Sequence, residues 1–320
     1  MSGVAVAVDG GQSGIRMRVG GHEGVLRAEG LGRLEEEVAG GLLRRVRACL
    51  AELPTAPPVI ERMTLGLTVV PADEEARVAL ARELATVLGI ARVDIAGDEL
   101  TAHAGAFGGG AGVVLTVGTG IACLGLDPAT GAFRRVDGDG FLLGDAGSGF
   151  WLGSRGVEAV LRARDGRGAA TALEAASAAR YGAHPDLAAW LHGRPRAVAE
   201  IARFAIDVQQ AAAEGDPVAA ELVAAAAEEL VATARAAAAA LDAHPCPLAL
   251  SGRAISPGSA LRAALEDRLT RDGALVSVAA QGDPLDGAWA IAEGRLGEAY
   301  SDHLSTWILN SESLNSGRLT

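Results

Sequence analysis

The sequence predicts an α/β chain of two lobes with a duplicated architecture. Three observations point there. Short apolar runs alternate with longer stretches of helical spacing. A strand–glycine turn–strand unit occurs near the N-terminus and again about a hundred residues later, which reads as a duplicated architecture. Between the two copies lies Gly108-Gly-Gly-Ala-Gly112, a flexible joint. A length of 320 residues suits two domains of ordinary size, each able to bury a core.

The elements follow in order. Residues 4–8 read as a buried strand, Asp9 to Gly14 as a turn, and 15–19, which alternate, as a strand pairing back on the first. A third strand is expected at 22–29, and helical spacing runs from 34 to 53 and stops at Pro54. A strand at 63–70 precedes a helix at 72–88, whose Asp73, Glu74 and Glu75 suit a helix N-terminus. A strand at 91–96 leads into a helix at 98–107. Beyond the joint come a strand at 113–117, a turn at Gly118-Thr-Gly120 and a strand at 121–126. From Gly147 the chain is mostly helical, at 150–163, 171–181, 195–213 and 217–241. The last of these has Asp216 as a cap and Pro217 at its first position. A strand at 248–250, a helix at 258–271, a strand at 275–279 and a helix at 285–300 complete the pattern. From Ser301 the chain is polar and weakly patterned, a frayed end or an interaction segment. The lobes are therefore expected at 1–110 and 111–300, with a tail at 301–320. The alanine-rich helices keep no heptad, so a coiled coil is not expected.

Composition narrows the function classes. The formal net charge of -12 repels phosphate backbones and anionic lipid, so nucleic acid and membrane are poor partners. No stretch is long and apolar enough to span a bilayer. Residues 4–8 are too short for a signal peptide and follow no basic segment, so a cytoplasmic location is expected. The three cysteines, Cys49, Cys123 and Cys246, are far apart and read as small core residues. The chain contains no lysine. A P-loop needs its lysine on the phosphates, and a protein kinase needs its strand lysine, so both mechanisms are excluded. Any nucleotide phosphate must be held by backbone N–H groups, hydroxyls and Mg²⁺.

Four places can carry chemistry. Asp9-Gly-Gly-Gln-Ser13 follows a buried strand. Gly10 and Gly11 let backbone approach a ligand, Gln12 and Ser13 can donate to phosphate oxygens, and Asp9 can reach Mg²⁺ through water. A plain hairpin turn is the alternative reading. Gly118, Thr119 and Gly120 repeat the device, and two such hairpins facing one cleft would clamp a phosphate tail. Gly144-Asp-Ala-Gly-Ser-Gly149 ends a glycine-rich run starting at Gly138, and Asp145 serves there either a ligand or the loop itself. Asp98 opens a helix after a strand, where α/β folds bind ligands. A carboxylate there can accept a hydroxyl proton in phosphoryl transfer, or cap the helix. The six histidines have no metal-ligand spacing, and His103, on the Asp98 helix, reads as a surface or core residue. Gly138-Asp-Gly140 with Gly144 does not fit G-x-G-x-x-G, so a dinucleotide fold is not supported.

In order and spacing these residues resemble the BadF/BadG/BcrA/BcrD-type ATPase family and its N-acetylglucosamine kinase branch. The resemblance rests on Asp9-Gly-Gly, Gly97-Asp98, Val117-Gly-Thr-Gly120 and Leu143-Gly-Asp-Ala-Gly-Ser-Gly149. Arg164-Asp-Gly-Arg-Gly168, Glu214-Gly-Asp-Pro217 and Pro284-Leu-Asp-Gly-Ala288 extend it, and it spans roughly residues 3 to 299. It implies a two-lobed actin-like ATPase (ribonuclease H-like) fold with duplicated mixed-sheet domains and a cleft between them. It also implies ATP and Mg²⁺ as cofactors and phosphorylation of an amino sugar, N-acetylglucosamine or glucosamine, to its 6-phosphate. By the same resemblance Asp9 to Ser13 and Gly118 to Gly120 would be the phosphate loops, and Ser251-Gly252-Arg253 would contact adenosine. Asp98 would be the general base, and Asp145 with Gly138, Asp139 and Gly140 would contact the sugar. The partner implied is a small-molecule sugar, and a homodimer is left open.

The departures concentrate on the sugar side. Ile121 replaces a serine after the second phosphate loop, Asp139 replaces a tryptophan, Ala146 replaces an acidic residue, and no asparagine occurs around Gly30 to Glu35. A carboxylate at Asp139 would favour a cation such as the free amine of glucosamine, unless the loop points elsewhere. Three further readings stay open. One is a catalytically altered nucleotide- or sugar-binding sensor, and another an ATPase acting on a non-sugar acceptor. The third is an activator of electron transfer, against which the isolated cysteines argue.

Overall fold

The computed structural model describes residues 3–11, 14–30, 38–54, 59–71 and 73–309. In chain order it begins with strands β1 (Val4–Gly10), β2 (Ile15–Val19) and β3 (Leu26–Ala28). Helix α1 (Val38–Ala51), β4 (Ile60–Leu67), α2 (Glu74–Leu88), β5 (Arg92–Gly97) and α3 (Asp98–Phe107) follow. The second copy opens with β6 (Gly112–Val117), β7 (Ile121–Asp127) and β8 (Ala132–Arg135). Helices α4 (Gly149–Arg164), α5 (Leu173–Tyr181), α6 (Leu187–His192), α7 (Ala197–Ala213) and α8 (Pro217–Ala238) come next. Then come β9 (Cys246–Ser251), a 3-10 turn at Arg253–Ile255, α9 (Ala260–Asp272), β10 (Leu275–Val278), α10 (Pro284–Ala292), α11 (Glu298–Ser301) and β11 (Ser305–Ile308).

The chain forms two compact units. Unit 1 holds the described residues up to Ala111, the turn Asp127–Gly131 and the described residues from Ala280 onward; unit 2 holds Gly112–Leu126 and Ala132–Ala279. Residues 280–300, expected with the second lobe, lie in unit 1 because α10 packs on α3 and β1. The glycines at that crossing leave no room for side chains: a Cβ on Gly105 would collide with the Asp283 carbonyl, and one on Gly287 with that of Thr101.

The sheet of unit 1 runs β11-β5-β4-β1-β2-β3, and that of unit 2 runs β10-β9-β6-β7-β8. In each, an antiparallel hairpin (β1–β2, β6–β7) is flanked by parallel strands (β4 and β5, β9 and β10). The core order 5-4-1-2-3 thus recurs as 10-9-6-7-8, the duplication expected from the repeated hairpins. Strand β1 is apolar from Val4 to Val8 because both of its faces are covered. Val6 and Val8 enter the core with Met63, Leu65 and Ile95, while Ala7 packs against Leu285 and Ala288 of α10. The core of unit 2 is alanine-rich. Ala219, Ala226, Ala227, Ala234 and Ala237 of α8 are all buried, and small side chains let helices approach closely.

Several boundaries differ from the sequence reading. The third strand shrinks to three residues. Strand β8 and helix α6 were not expected, being only four and six residues long, too short for periodicity to register. The helix expected over 285–300 ends at Ala292, because Gly294 turns left-handed at φ 69°. The polar tail contributes β11, antiparallel to β5 with Ser305 opposite Ile95 and Ile308 opposite Arg92. Residues 34–37 and Ala72, expected to open helices, lie outside the described residues. Asp73 is the cap of α2, accepting a hydrogen bond from Ala76 N–H. No helix among the described residues is long and apolar enough to cross a membrane.

Candidate functional site

In unit 1, Asp9, Gly10 and Asp98 come from the carboxyl ends of β1 and β5 and the start of α3. Asp9 stands opposite Arg16 across the β1–β2 hairpin. Arg16 holds one Asp9 oxygen, Oδ2, with Nε at 2.9 Å and Nη2 at 2.7 Å, and reaches Asp283 Oδ2 with Nη1 at 2.5 Å. Asp283 in turn caps α10 through a capping box shared with Asp286. Burial pushes the Asp9 carboxyl above its ordinary value. The Arg16 hydrogen bond and charge pull it down, while the charges of Asp98 and Asp283 add to the upward push. Asp9 and Asp98 therefore feel each other electrostatically within one unit.

Gly10 accepts Thr68 N–H through its carbonyl at 3.0 Å, and Gly11 N–H donates to Gly14 O at 3.0 Å. The loop is thus tied at both ends. Gln12 and Ser13 lie outside the described residues, as do residues 31–37, which hold most of the stretch lacking the asparagine.

Asp98 is the first residue of α3. The cap position belongs to Gly97, whose extended backbone makes no side-chain cap. The Asp98 carboxylate instead accepts from Thr68 Oγ1 at 2.5 Å. Thr68 follows β4, so neighbouring parallel strands deliver donor and acceptor to the same edge of the sheet. Sequence reasoning missed Thr68, Arg16 and Asp283. The alternation of residues 15–19 across an Asp-Gly turn was the signal that could have paired Arg16 with Asp9. His103, on the same helix, is fully buried, with Nδ1 2.9 Å from the Tyr300 hydroxyl.

Unit 2 carries the other predicted residues. Gly118 N–H donates to Gly120 O at 2.9 Å, closing a tight turn. The first backbone groups of α4 brace it: Gly149 N–H donates to Gly118 O at 2.9 Å and Phe150 N–H to Thr119 O at 3.0 Å. Asp145 is buried, at φ 61°, and its Oδ1 accepts Ile121 N–H at 3.3 Å. A Cβ on Gly120 would come within 2.5 Å of Asp145 Oδ2, whereas one on Gly118 would meet nothing within 4 Å. The turn is packed from one side and open at Gly118, a surface of bare backbone that a phosphate could approach.

The loop 138–140 is joined to Asp145 by Asp137, which sequence reasoning also missed. Asp137 Oδ1 accepts from Gly138 N–H at 2.8 Å and Asp145 N–H at 2.7 Å. Within the loop Gly140 is buried and Asp139 exposed. Ser251 Oγ lies 2.7 Å from Thr116 Oγ1, and Gly252 adopts φ 103°. A Cβ on Gly252 would collide with the Val117 backbone, so close packing of β9 on β6 requires this glycine. Arg253 is exposed in the 3-10 turn. Buried Gln209 of α7 anchors the segment after it, donating to Ala254 O at 3.2 Å and accepting Leu261 N–H at 3.0 Å. All three cysteines are buried and free, and burial pushes the Cys123 thiol up to about 12. Among the described residues no group of three or more His, Cys, Asp or Glu could hold a metal ion.

The chain matches the sequence profile described as the BadF/BadG/BcrA/BcrD ATPase family over residues 8–292. It is 28% identical over 168 residues to an N-acetylmuramic acid/N-acetylglucosamine kinase of Clostridium acetobutylicum, a match covering 52% of this chain and 55% of that protein. The match thus spans about half of that relative's length. Among solved structures it is similar to a candidate N-acetylglucosamine kinase of Chromobacterium violaceum, with TM-score 0.71 and 30% identity, covering 90% of this chain and 99% of the other. A candidate N-acetylglucosamine kinase of Porphyromonas gingivalis shares the fold at TM-score 0.69 and 18% identity, over 91% and 99% of the two chains.

Proposed function

The chain belongs to the BadF/BadG/BcrA/BcrD ATPase family, and from that premise we propose that it is an ATP-dependent kinase of an amino sugar, with N-acetylglucosamine or glucosamine as acceptor and a 6-phosphate as product. The names of the relatives support the substrate class. The observation that carries the chemistry is the Asp98 carboxylate, held by Thr68 at the carboxyl edge of a parallel strand pair beside Asp9.

In this reading Asp98 accepts the proton of the acceptor hydroxyl as its oxygen bonds to the γ-phosphorus and the bond to the ADP oxygen breaks. Asp98 stands in the first turn of α3, the helix end that carries partial positive charge. Gly118 to Gly120 offers backbone to the phosphates, and Ser251 to Arg253 adjoins the adenosine. In a chain without lysine, Mg²⁺ would neutralise the phosphate charge when bound. Asp9 fits it: only Oδ2 is engaged by Arg16, and a buried carboxylate whose charge is disfavoured gains from a cation. Asp145 and the loop 138–140 are assigned to the sugar, and a cytoplasmic location follows from the reading.

The test is ADP release with Mg-ATP over a panel of hexoses, hexosamines and N-acetylhexosamines, run beside Asp98→Asn. Amino-sugar-dependent turnover, falling about 10²- to 10⁴-fold in the variant, is expected for loss of a general base. ATP binding with no sugar-dependent turnover would instead favour a sensor or a non-sugar acceptor.

A further inference from the structure

At the other end of the strands that deliver Thr68 and Asp98, the same sheet holds a basic cavity. Asp94 of β5 is fully buried and accepts from three donors: Arg62 Nε at 2.7 Å, Arg92 Nε at 2.9 Å and Thr306 Oγ1 of β11 at 2.7 Å. Each guanidinium spends its Nε edge on this carboxylate. Arg92 Nε also reaches the second Asp94 oxygen at 3.2 Å, and the Nη groups of both half-buried arginines are left facing outward from the pair. Two guanidiniums thus face the one buried carboxylate, and Glu61 is the further acidic residue lining the space beside them.

Those donors border a cavity of about 230 Å³, lined by Arg62, Arg92, Ile291, Gly294, Leu296, Tyr300 and Ser301. Gly294 lines it, with Arg62 Nη1 3.6 Å from where a Cβ at 294 would stand, an ordinary contact distance. The volume is below that of pockets for drug-sized ligands, about 300–1,000 Å³, and suits a tetrahedral oxyanion. A second cavity of about 430 Å³ shares Arg62 and Arg92 and continues along Val4, Ala5, Ala292 and Ile308, with Glu61 on its wall. It offers a mainly apolar seat for a small organic group attached to the anion, and Glu61 discriminates against a second negative charge there.

We propose that this cavity is a ligand site separate from the Asp9–Asp98 edge, taking inorganic phosphate or a small phosphate monoester on the forked donors of Arg62 and Arg92. Strand β5 separates the two places by its length: Arg92 opens it and Asp98 follows it, about 20 Å away at strand rise. The ligand would tie α11 and β11 to the start of β4 and β5, so its binding stabilises unit 1 by mass action.

The experiment is calorimetric titration of the full chain with inorganic phosphate and with glycerol phosphate, against chloride at matched ionic strength, in wild type, Ser301→Glu, Arg92→Gln and Asp98→Asn. Ser301→Glu sets a carboxylate at the exposed rim of the cavity and leaves both arginine–Asp94 pairs intact. Arg92→Gln removes one donor fork while Asp94 keeps Arg62 and Thr306. Millimolar or tighter binding is expected in wild type and Asp98→Asn, weakened at least about tenfold in either cavity variant. Binding of inorganic phosphate alone, lost in those variants, supports the site with free phosphate as its ligand. Binding of glycerol phosphate, lost in the same way, supports it with a monoester. Absence of binding in wild type, or equal binding in a folded Ser301→Glu or Arg92→Gln protein, overturns the proposal.

Discussion

Asp9 carries its charge in an environment that disfavours it, and this makes it sensitive to what stands beside it. Burial raises its pKa, Arg16 opposes the rise, and Asp98 and Asp283 reinforce it. A carboxylate raised in the folded state contributes stability below its ordinary value, and that contribution is lost as pH rises through the folded pKa. A bound cation reverses the sense, since it needs the ionised form. Mg²⁺ affinity is therefore expected to fall as pH drops through the raised Asp9 pKa. In Arg16→Gln, where the main downward influence is gone, the loss should begin at higher pH; Mg²⁺ titration of ATP turnover across the acidic range measures both. Superimposable profiles for the two proteins would remove Asp9 from the metal's surroundings. Thr68 acts on the neighbouring carboxylate. Thr68→Val deletes a hydrogen bond to a charged group, worth about 1.5–3 kcal/mol, and should lower kcat by about tenfold or more with little change in KM for ATP. The places of Asp9 and Asp98 at strand ends were legible in the sequence because a carboxylate after an apolar run marks such an end. Arg16, Thr68 and Asp137 were not, since each matters through a partner that only the fold supplies.

At the scale of elements, the long apolar periods were readable, whereas β8, α6 and β11 were not. Helix α8 was announced by Asp216 and Pro217, and the structure adds that Asp216 works twice. It caps α8 through Ala219 N–H at 2.8 Å and holds the preceding segment through Ala172 N–H at 2.7 Å and Thr171 Oγ1 at 3.0 Å. Burial opposes ionisation here, but these hydrogen bonds prevail and hold the Asp216 carboxyl below its ordinary value. Its contribution is therefore present above the ordinary carboxylate range and lost as pH falls through the folded pKa. Asp216→Ala should cost about 0.5–2 kcal/mol at neutral pH, and the difference from wild type in urea unfolding should shrink in acid. The α3–α10 crossing was invisible in sequence because nothing in a lone Gly105 or Gly287 says which helix it will meet. Backbone meets backbone there, so Gly287→Ala has no flexible side chain to displace. The expected loss is about 1–3 kcal/mol or more, read as a lowered Tm. A neutral Gly287→Ala would mean that the helices can slide apart.

For the whole molecule, the two sheets show what a repeated motif can and cannot announce. The twin hairpins disclosed the duplication, because strand–glycine turn–strand is local chemistry repeated on one chain. The division of the chain was harder, because unit 1 is discontinuous: its described residues up to Ala111 are joined by the turn Asp127–Gly131 and by the described residues from Ala280 onward. Helix α10 covers the face of β1 that bears Ala7, and β11 pairs with β5, so in the N-terminal part alone that face is uncovered and β5 is an open edge. The polar sequence Ser305-Thr-Trp-Ile308 hid that strand, although Thr306 completes the ligation of buried Asp94. A fragment of residues 1–111 should therefore fail to unfold cooperatively, since it leaves apolar surface uncovered at roughly 25 cal/mol per Å² and an open strand edge. Appending residues 280–309 through a flexible linker should restore a single cooperative transition in urea, followed by circular dichroism. The full chain ending at residue 302 should lie between, with β5 exposed as an edge and Asp94 short of one donor. If the fragment 1–111 unfolds cooperatively without the appended segment, the C-terminal elements are an addition to unit 1 and not part of its core.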